Sequence, residues 1–217
     1  MAFTFDSTQT EPLGIYKCPS CDYIVLNETF LIDDGDDFVV YSDGKRVSDN
    51  SDDYPMITRC EKCGNIFWMR EDTLVAEIPW SRDIDEQYHH VQVAKPLNLL
   101  DLIQCVQTDY FNNEDEELYL RIRLMWRMND RLRVQQPLYF TKLEKDMWYN
   151  NLLRFKEMLK FDDYNDRILL AEVERNSSNY NRSIELLDSL PYVDMIWLRD
   201  KYITQCRMKN PEVFRIM

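Results

Sequence analysis

Two rhythms of hydrophobicity run along the chain. From Ile15 to about Ile78 the apolar residues come in short runs, rich in β-branched and aromatic types and broken by turn signals. Such runs predict strands. Residues 23–32 (YIVLNETFLI) form one run, and residues 37–47 (DFVVYSDGKRV) predict a hairpin turning at Asp43-Gly44. Residues 65–69 (NIFWM) predict another short strand, while 71–80 fit either a strand or a helical turn. Residues 1–14 read as an irregular tail, 48–55 as a polar loop and 81–96 as a connector.

Beyond Pro96 the period becomes helical. Leu97, Leu99, Leu100, Leu102, Ile103 and Val106 mark one face of a first amphipathic helix over 97–111. Residues 114–133 predict a second, with acids 114–117 in its first turn and Arg131 and Arg133 in its last, as the helix dipole favours. A third spans about 142–161, with Leu143, Met147, Trp148, Leu152, Phe155, Met158 and Leu159 inward. Thr141 followed by Glu144 predicts a capping box at its start. Segments 163–175, 179–190 and 193–208, separated by NSSN and by Pro191, make six helices, expected to bury Trp126, Trp148 and Trp197. The expected class is therefore α+β: a β domain over residues 1–90 followed by a helical domain over 91–217.

Charge follows the same division. Residues 1–90 carry 7 Lys and Arg against 19 Asp and Glu, and residues 91–217 carry 19 against 20, so the −13 of the whole chain divides as −12 and −1. So acidic a field repels phosphate backbones and counts against nucleic-acid binding. No run of 18 apolar residues predicts a membrane span. The start has neither a basic nor an apolar stretch of the secretory kind. The expected compartment is the cytoplasm, where paired cysteines serve as metal ligands or redox groups more often than as structural disulfides.

Four of the six cysteines form two C-x-x-C pairs, Cys18-Pro19-Ser20-Cys21 and Cys60-Glu61-Lys62-Cys63, with 38 residues between Cys21 and Cys60. Each such turn presents two thiolates from one tight loop, and two turns close a tetrahedral site. Pro19 stiffens the first knuckle, and Gly64 follows the second, where positive φ is often needed. Cys18, Cys21, Cys60 and Cys63 are thus the expected ligands of a structural zinc ion, in the layout of a zinc ribbon with an insertion around 33–53. Iron also accepts four thiolates. Buried thiols, disulfides or a redox pair are the competing readings of these cysteines. The redox reading is weakened because neither pair opens a long helix.

The remaining candidates carry less. Cys105 and Cys206 read as small core hydrophobes. His89 and His90, the two histidines, adjoin on the connector. The aspartate-rich stretch 33–53 lacks the EF-loop pattern and reads as a solvated loop. Arg123, Arg127 and Arg131 form a stripe four residues apart, flanked by Arg121 and Arg133, and are expected to pair with acids, including those of the acidic β domain. No Walker loop, G-x-S-x-G, G-x-G-x-x-G or H-E-x-x-H occurs. No residue is assigned a catalytic role, and nothing in the sequence asks for an enzyme.

Residues 169–190 (LLAEVERNSSNYNRSIELLDSL) resemble a tetratricopeptide (TPR) helix pair. Leu170 and Ala171 match the packing positions of its first helix, and Tyr180, Ile184 and Leu187 those of its second. Ser183 departs from the usual alanine, and no second copy appears at a 34-residue period. The order CPxC knuckle, YSDGK hairpin, CxxCGxxFW and TPR-like tail resembles a group of uncharacterised bacterial zinc-ribbon/TPR proteins. That resemblance implies an architecture and no activity. The expected function is a non-catalytic protein-interaction or adaptor module that takes a protein or peptide partner on its helical domain. The alternatives are a nucleic-acid-associated regulator using the ribbon, and a thiol redox protein or metalloenzyme.

Overall fold

The structure, a computed structural model, describes residues 13–27, 38–48, 55–78, 88, 90–190 and 195–217. The expectations for residues 1–12 of the N-terminal tail, for 33–37 and 49–53 of the acidic stretch, for 81–87 of the connector, for His89 and for Pro191 lie outside the described residues. The class is mixed α+β, with eight strands and six helices among the described residues. The chain divides into two compact units. One takes its described residues from 1–37 and 48–97, the other from Phe38–Val47 and Asn98–Met217. The hairpin thus belongs to the helical unit, although sequence order had placed it inside the ribbon as part of an insertion.

In the strand unit, β1 (Leu13–Lys17) pairs antiparallel with β2 (Ile24–Asn27). The hairpin β5 (Ile57–Arg59) and β6 (Ile66–Trp68) forms a separate sheet. Residues 74–78, ambiguous in sequence, are strand β7 (Leu74–Ile78), antiparallel to β1, and β8 (Gln92–Val93) runs parallel to β2. Strand alternation sends neighbouring side chains to opposite faces. Ile15 and Leu26 join Leu13 and Ile78 in one small core, while Val25 packs with Phe67, Met69, Ala94, Cys18 and Cys60 in another. The second core is therefore built around the cysteines.

In the helical unit, β3 (Phe38–Val40) and β4 (Arg46–Ser48) pair across the YSDGK turn. Gly44 N–H donates to Tyr41 O at 2.9 Å, and Gly44 takes φ +80, which glycine adopts without strain. Next come α1 (Leu99–Gln107), α2 (Glu114–Arg133), α3 (Lys142–Met158), α4 (Tyr164–Asn176), α5 (Tyr180–Asp188) and α6 (Ile196–Arg207), each packed on the next. Side chains of Asn98, Asn113, Thr141 and Asp163 accept first-turn N–H groups, and Thr141 with Glu144 forms the expected capping box. Of the expected core, Leu97, Leu102, Ile103, Val106, Met147, Trp148, Leu152, Phe155 and Leu159 are buried, and α2 adds Leu120, Leu124, Met125 and Met128, which the sequence reading did not single out. Three positions differ. Leu100, Leu143 and Trp197 are exposed, because each lies beyond the stripe of its helix that meets a neighbour.

The hairpin tip is held by polar contacts with several helices. Asp43 accepts from Asn129 at 2.8 Å and pairs with Arg133 at 2.5 Å, and its carbonyl accepts from Trp126 Nε1 at 2.9 Å. Ser42 Oγ donates to Glu172 at 2.9 Å, and its carbonyl accepts from the Tyr202 hydroxyl. Glu172 pairs with Arg175 at 2.6 Å, both side chains being fully buried. Arg175 also donates to the carbonyls of Asn210 and Glu212, so its charge is met by oxygen on several sides. The C-terminal segment lies alongside β3, with Ile216 N–H donating to Val40 O at 2.7 Å.

Candidate metal centre

Each C-x-x-C pair sits at the turn of a two-stranded hairpin: Cys18 to Cys21 between β1 and β2, Cys60 to Cys63 between β5 and β6. The two turns follow one backbone pattern. Cys18 N–H donates to Tyr23 O and Asp22 N–H to Cys18 O, at 2.8 and 3.0 Å. Cys60 N–H donates to Asn65 O and Gly64 N–H to Cys60 O, both at 2.8 Å. The residue after each second cysteine must adopt positive φ. Gly64 does so at +77, as its sequence position predicts, but Asp22 does so at +57, which sequence reading missed. Aspartate is among the non-glycine residues that enter this region with least penalty, so the pattern C-x-x-C-[G/D] was the available signal.

The four sulfurs converge. Cys18 Sγ lies 3.7 Å from Cys63 Sγ, and Cys21 Sγ 3.6 Å from Cys60 Sγ, so each close pair joins one knuckle to the other. All four lie within 4.8 Å of one another, and all are free thiols with no disulfide. A metal about 2.3 Å from four tetrahedral sulfurs would keep them about 3.8 Å apart. The observed separations fit that edge and are far longer than a disulfide's roughly 2.05 Å. The cluster can hold a metal ion, with all four positions supplied by protein. Cys18 and Cys60 are buried, Cys21 is half-buried and Cys63 is exposed.

The electrostatics are those of four thiols sharing one small volume. The Asn65 N–H bond, aided by the neighbouring thiols, brings Cys63 down to about 7. A matching Tyr23 N–H bond lowers Cys21, but burial and the other three thiols outweigh it and push it up to about 12. Burial raises Cys18. One thiolate forms readily and the next resist forming beside it. A divalent cation removes that conflict, and the N–H groups aimed at sulfur support the charge that remains.

The other candidates take no part. His90 is exposed, and the only ligand-type cluster among the described residues contains the four cysteines alone. Cys105 and Cys206 are buried, the latter bonded to Ser183 Oγ at 3.5 Å. The arginines of α2 find acids within the helical unit. Arg121 pairs with Glu117 at 2.8 Å, Arg131 with Glu144 at 2.8 Å and Arg133 with Asp43 and Asp130. Asp43, counted in sequence among acids of a solvated loop, is buried and fully engaged. No described helix is long and apolar enough to cross a membrane. Compared with models of protein families, with curated proteins and with solved structures, the chain matches none.

Proposed function

We propose that this protein is a non-catalytic interaction or adaptor module of the cytoplasm, built from a zinc ribbon and a TPR-like helical domain. The observation that carries the structural role of the metal is the convergence of four sulfurs within 4.8 Å of one another, two pairs of them at the edge length of a tetrahedral site. Zinc is the ion we assign, because a four-thiolate site with no position open to water suits a fold element better than a catalyst. Bound zinc would tie the two hairpins together, with Cys18, Cys21, Cys60 and Cys63 as its ligands. The resemblance to bacterial zinc-ribbon/TPR proteins supports the same assignment.

The partner is a protein or peptide, taken by the helical unit. Phe140 and Leu153 are 61% and 63% exposed, and Leu143 and Tyr149 are exposed on the same α3 region. Tyr149 and Leu153, four residues apart, share one side of α3, and exposed apolar side chains so placed can serve as an interaction surface. The overall acidity speaks against nucleic acid as the partner.

Metal content per chain and thiol counts before and after chelation test the first half of the reading. One zinc per chain, with about two reactive thiols rising to six, is expected. Absence of metal, or a redox-active pair, would overturn the structural site. For the second half, a partner crosslinked to the native protein in its host cell should be lost with Leu153→Asp while helicity is retained. Capture that is indifferent to this change would remove α3 as the docking face.

A further inference from the structure

The four sulfurs of the metal centre are not equivalent. In each knuckle the first cysteine, Cys18 or Cys60, is buried, while the second lies nearer the surface, Cys21 half-buried and Cys63 exposed. Both close contacts cross between the knuckles, and each joins a buried sulfur to an outer one: Cys18 to Cys63 at 3.7 Å, Cys60 to Cys21 at 3.6 Å. An oxidant from solvent meets the outer sulfur, and the buried sulfur beside it is shielded until that first step has occurred. Reversible thiol oxidation uses this arrangement, an accessible cysteine next to a second that resolves it. Closing either contact to a disulfide of roughly 2.05 Å brings the sulfurs together by about 1.6 Å.

We infer that this cluster is also a peroxide-oxidisable site, in which disulfides form across the knuckles, Cys18–Cys63 before Cys21–Cys60, in exchange for the metal. The release of metal rests on the four-thiolate reading above; the pairing and its order rest on the sulfur positions alone. Until oxidant arrives all four sulfurs remain metal ligands. Cys63 sulfur attacks one oxygen of hydrogen peroxide, the O–O bond breaks, and a sulfenic acid and one water result. Cys18 sulfur then attacks the Cys63 sulfur, the S–O bond breaks, and a second water leaves. Two thiols lose two electrons and two hydrogens, and the peroxide takes up both. Cys60 resolves Cys21 in the same way with a second peroxide. Each disulfide consumes two of the four ligands, because a sulfur bonded to sulfur is no longer the thiolate a metal requires. The oxidised pairs span 45 and 39 residues and join hairpin β1–β2 to hairpin β5–β6, as the metal would. Disulfides within each C-x-x-C would leave the hairpins unlinked. Oxidation therefore replaces one crosslink of the strand unit by another, and a small thiol reverses it by exchange.

The full chain, zinc-loaded and metal-free, provides the test. With hydrogen peroxide below one equivalent and a sulfenic-acid trap present, Cys63 should carry at least about tenfold more label than any other cysteine. Without the trap, tandem mass spectrometry should find Cys18–Cys63 first and Cys21–Cys60 on further addition, with the buried Cys105 and Cys206 still reduced. In the zinc-loaded chain a chromophoric chelator should report zinc leaving in step with the first disulfide, and excess reduced thiol with zinc should restore the site. Amide protection at Phe67 should survive in the doubly oxidised chain. Cys18→Ser should prolong the Cys63 sulfenic acid; where that variant fails to fold, disulfide mapping of the unsubstituted chain decides the same question. Disulfides within the knuckles, first labelling at Cys21, oxidised protein that keeps its zinc, or loss of Phe67 protection on oxidation overturns the inference. A chain that takes up no metal yet pairs Cys18 with Cys63 upholds the pairing and overturns the structural site. A zinc-loaded chain whose oxidation pairs Cys18 with Cys21 does the reverse.

Discussion

The strand unit and the helical unit are held together by different means. Among the described residues, the large side chains fully buried in the strand unit are Ile15, Leu26, Ile57 and Phe67, spread over short strands. The helical unit buries Leu120, Leu124, Met125, Met128, Leu152, Phe155 and Tyr202, and with them a complete ion pair, Glu172 with Arg175. A small β module with so little core relies on a crosslink, and four convergent sulfurs offer one. A larger helical unit can accommodate buried charge, provided every charged atom finds a partner. The same chain thus offers a set of metal ligands as the crosslink of one unit and relies on packing around a buried ion-pair network in the other.

The largest expected effect is removal of the metal. Structural zinc contributes on the order of 10 kcal/mol of apparent binding energy to folding. Chelation should therefore abolish amide protection at Ile15 and Phe67 while leaving the helical circular dichroism in place. A parallel collapse of the helical signal would break the comparison between the units.

Next comes the buried charge. Glu172→Ala leaves Arg175 without its carboxylate and also removes the acceptor of Ser42. Breaking one side of a buried pair costs about 3–5 kcal/mol. Denaturant unfolding should show that loss in the helical transition, with zinc content unchanged. A loss below about 1 kcal/mol would mean that water replaces the carboxylate and that the network is not closed.

A smaller effect lies at the start of α3. The bidentate Arg131 guanidinium, with the N–H groups of Phe140 and Thr141, holds Glu144 down at about 2 from an ordinary 4.5. The folded value is depressed, so this stabilisation is fully present above about pH 4.5 and is lost as pH falls toward 2. Its size is about 3 kcal/mol by linkage. Glu144→Gln should flatten the acid limb of the helical unit's stability between those pH values. An unchanged limb would assign acid sensitivity to other carboxylates.

The smallest effect tests the likeness of the two knuckles. Gly64→Ala forces a side chain into positive φ and should destabilise the metal-bound strand unit by about 1 kcal/mol, whereas Asp22→Gly should stabilise it by a few tenths to 1 kcal/mol. Zinc affinity measured by chelator competition reads both. Opposite signs confirm that the two turns share one geometry.

Much of this was legible in the sequence because it is local. The cysteine pairs, the Asp43-Gly44 turn, α2 and the Thr141–Glu144 box each depend on residues a few positions apart. The partners of the hairpin were not legible. Asp43 finds Asn129 and Arg133, and Ser42 finds Glu172 and Tyr202, at separations of 86 to 160 residues. No periodicity records such pairings, and the polar letters of SDG read equally well as a solvated tip. Trp197 was misplaced for the reverse reason: a large apolar residue on a helix predicts burial, but burial is decided by where the next element lies.

The position of the hairpin within the chain has a consequence for synthesis. Both cysteine knuckles are complete once residue 63 has left the ribosome, so the strand unit can begin to close early. Ser42 and Asp43, lying between those knuckles, must wait for α2, α4 and finally α6 before their polar groups are met. The earlier-made strand unit therefore carries, between its two knuckles, an unfinished piece of the helical unit, which matures only when residues 214–217 reach back to the hairpin. A fragment starting at Asn98 would lack that piece and should be soluble only when residues 38–47 are supplied as a separate peptide.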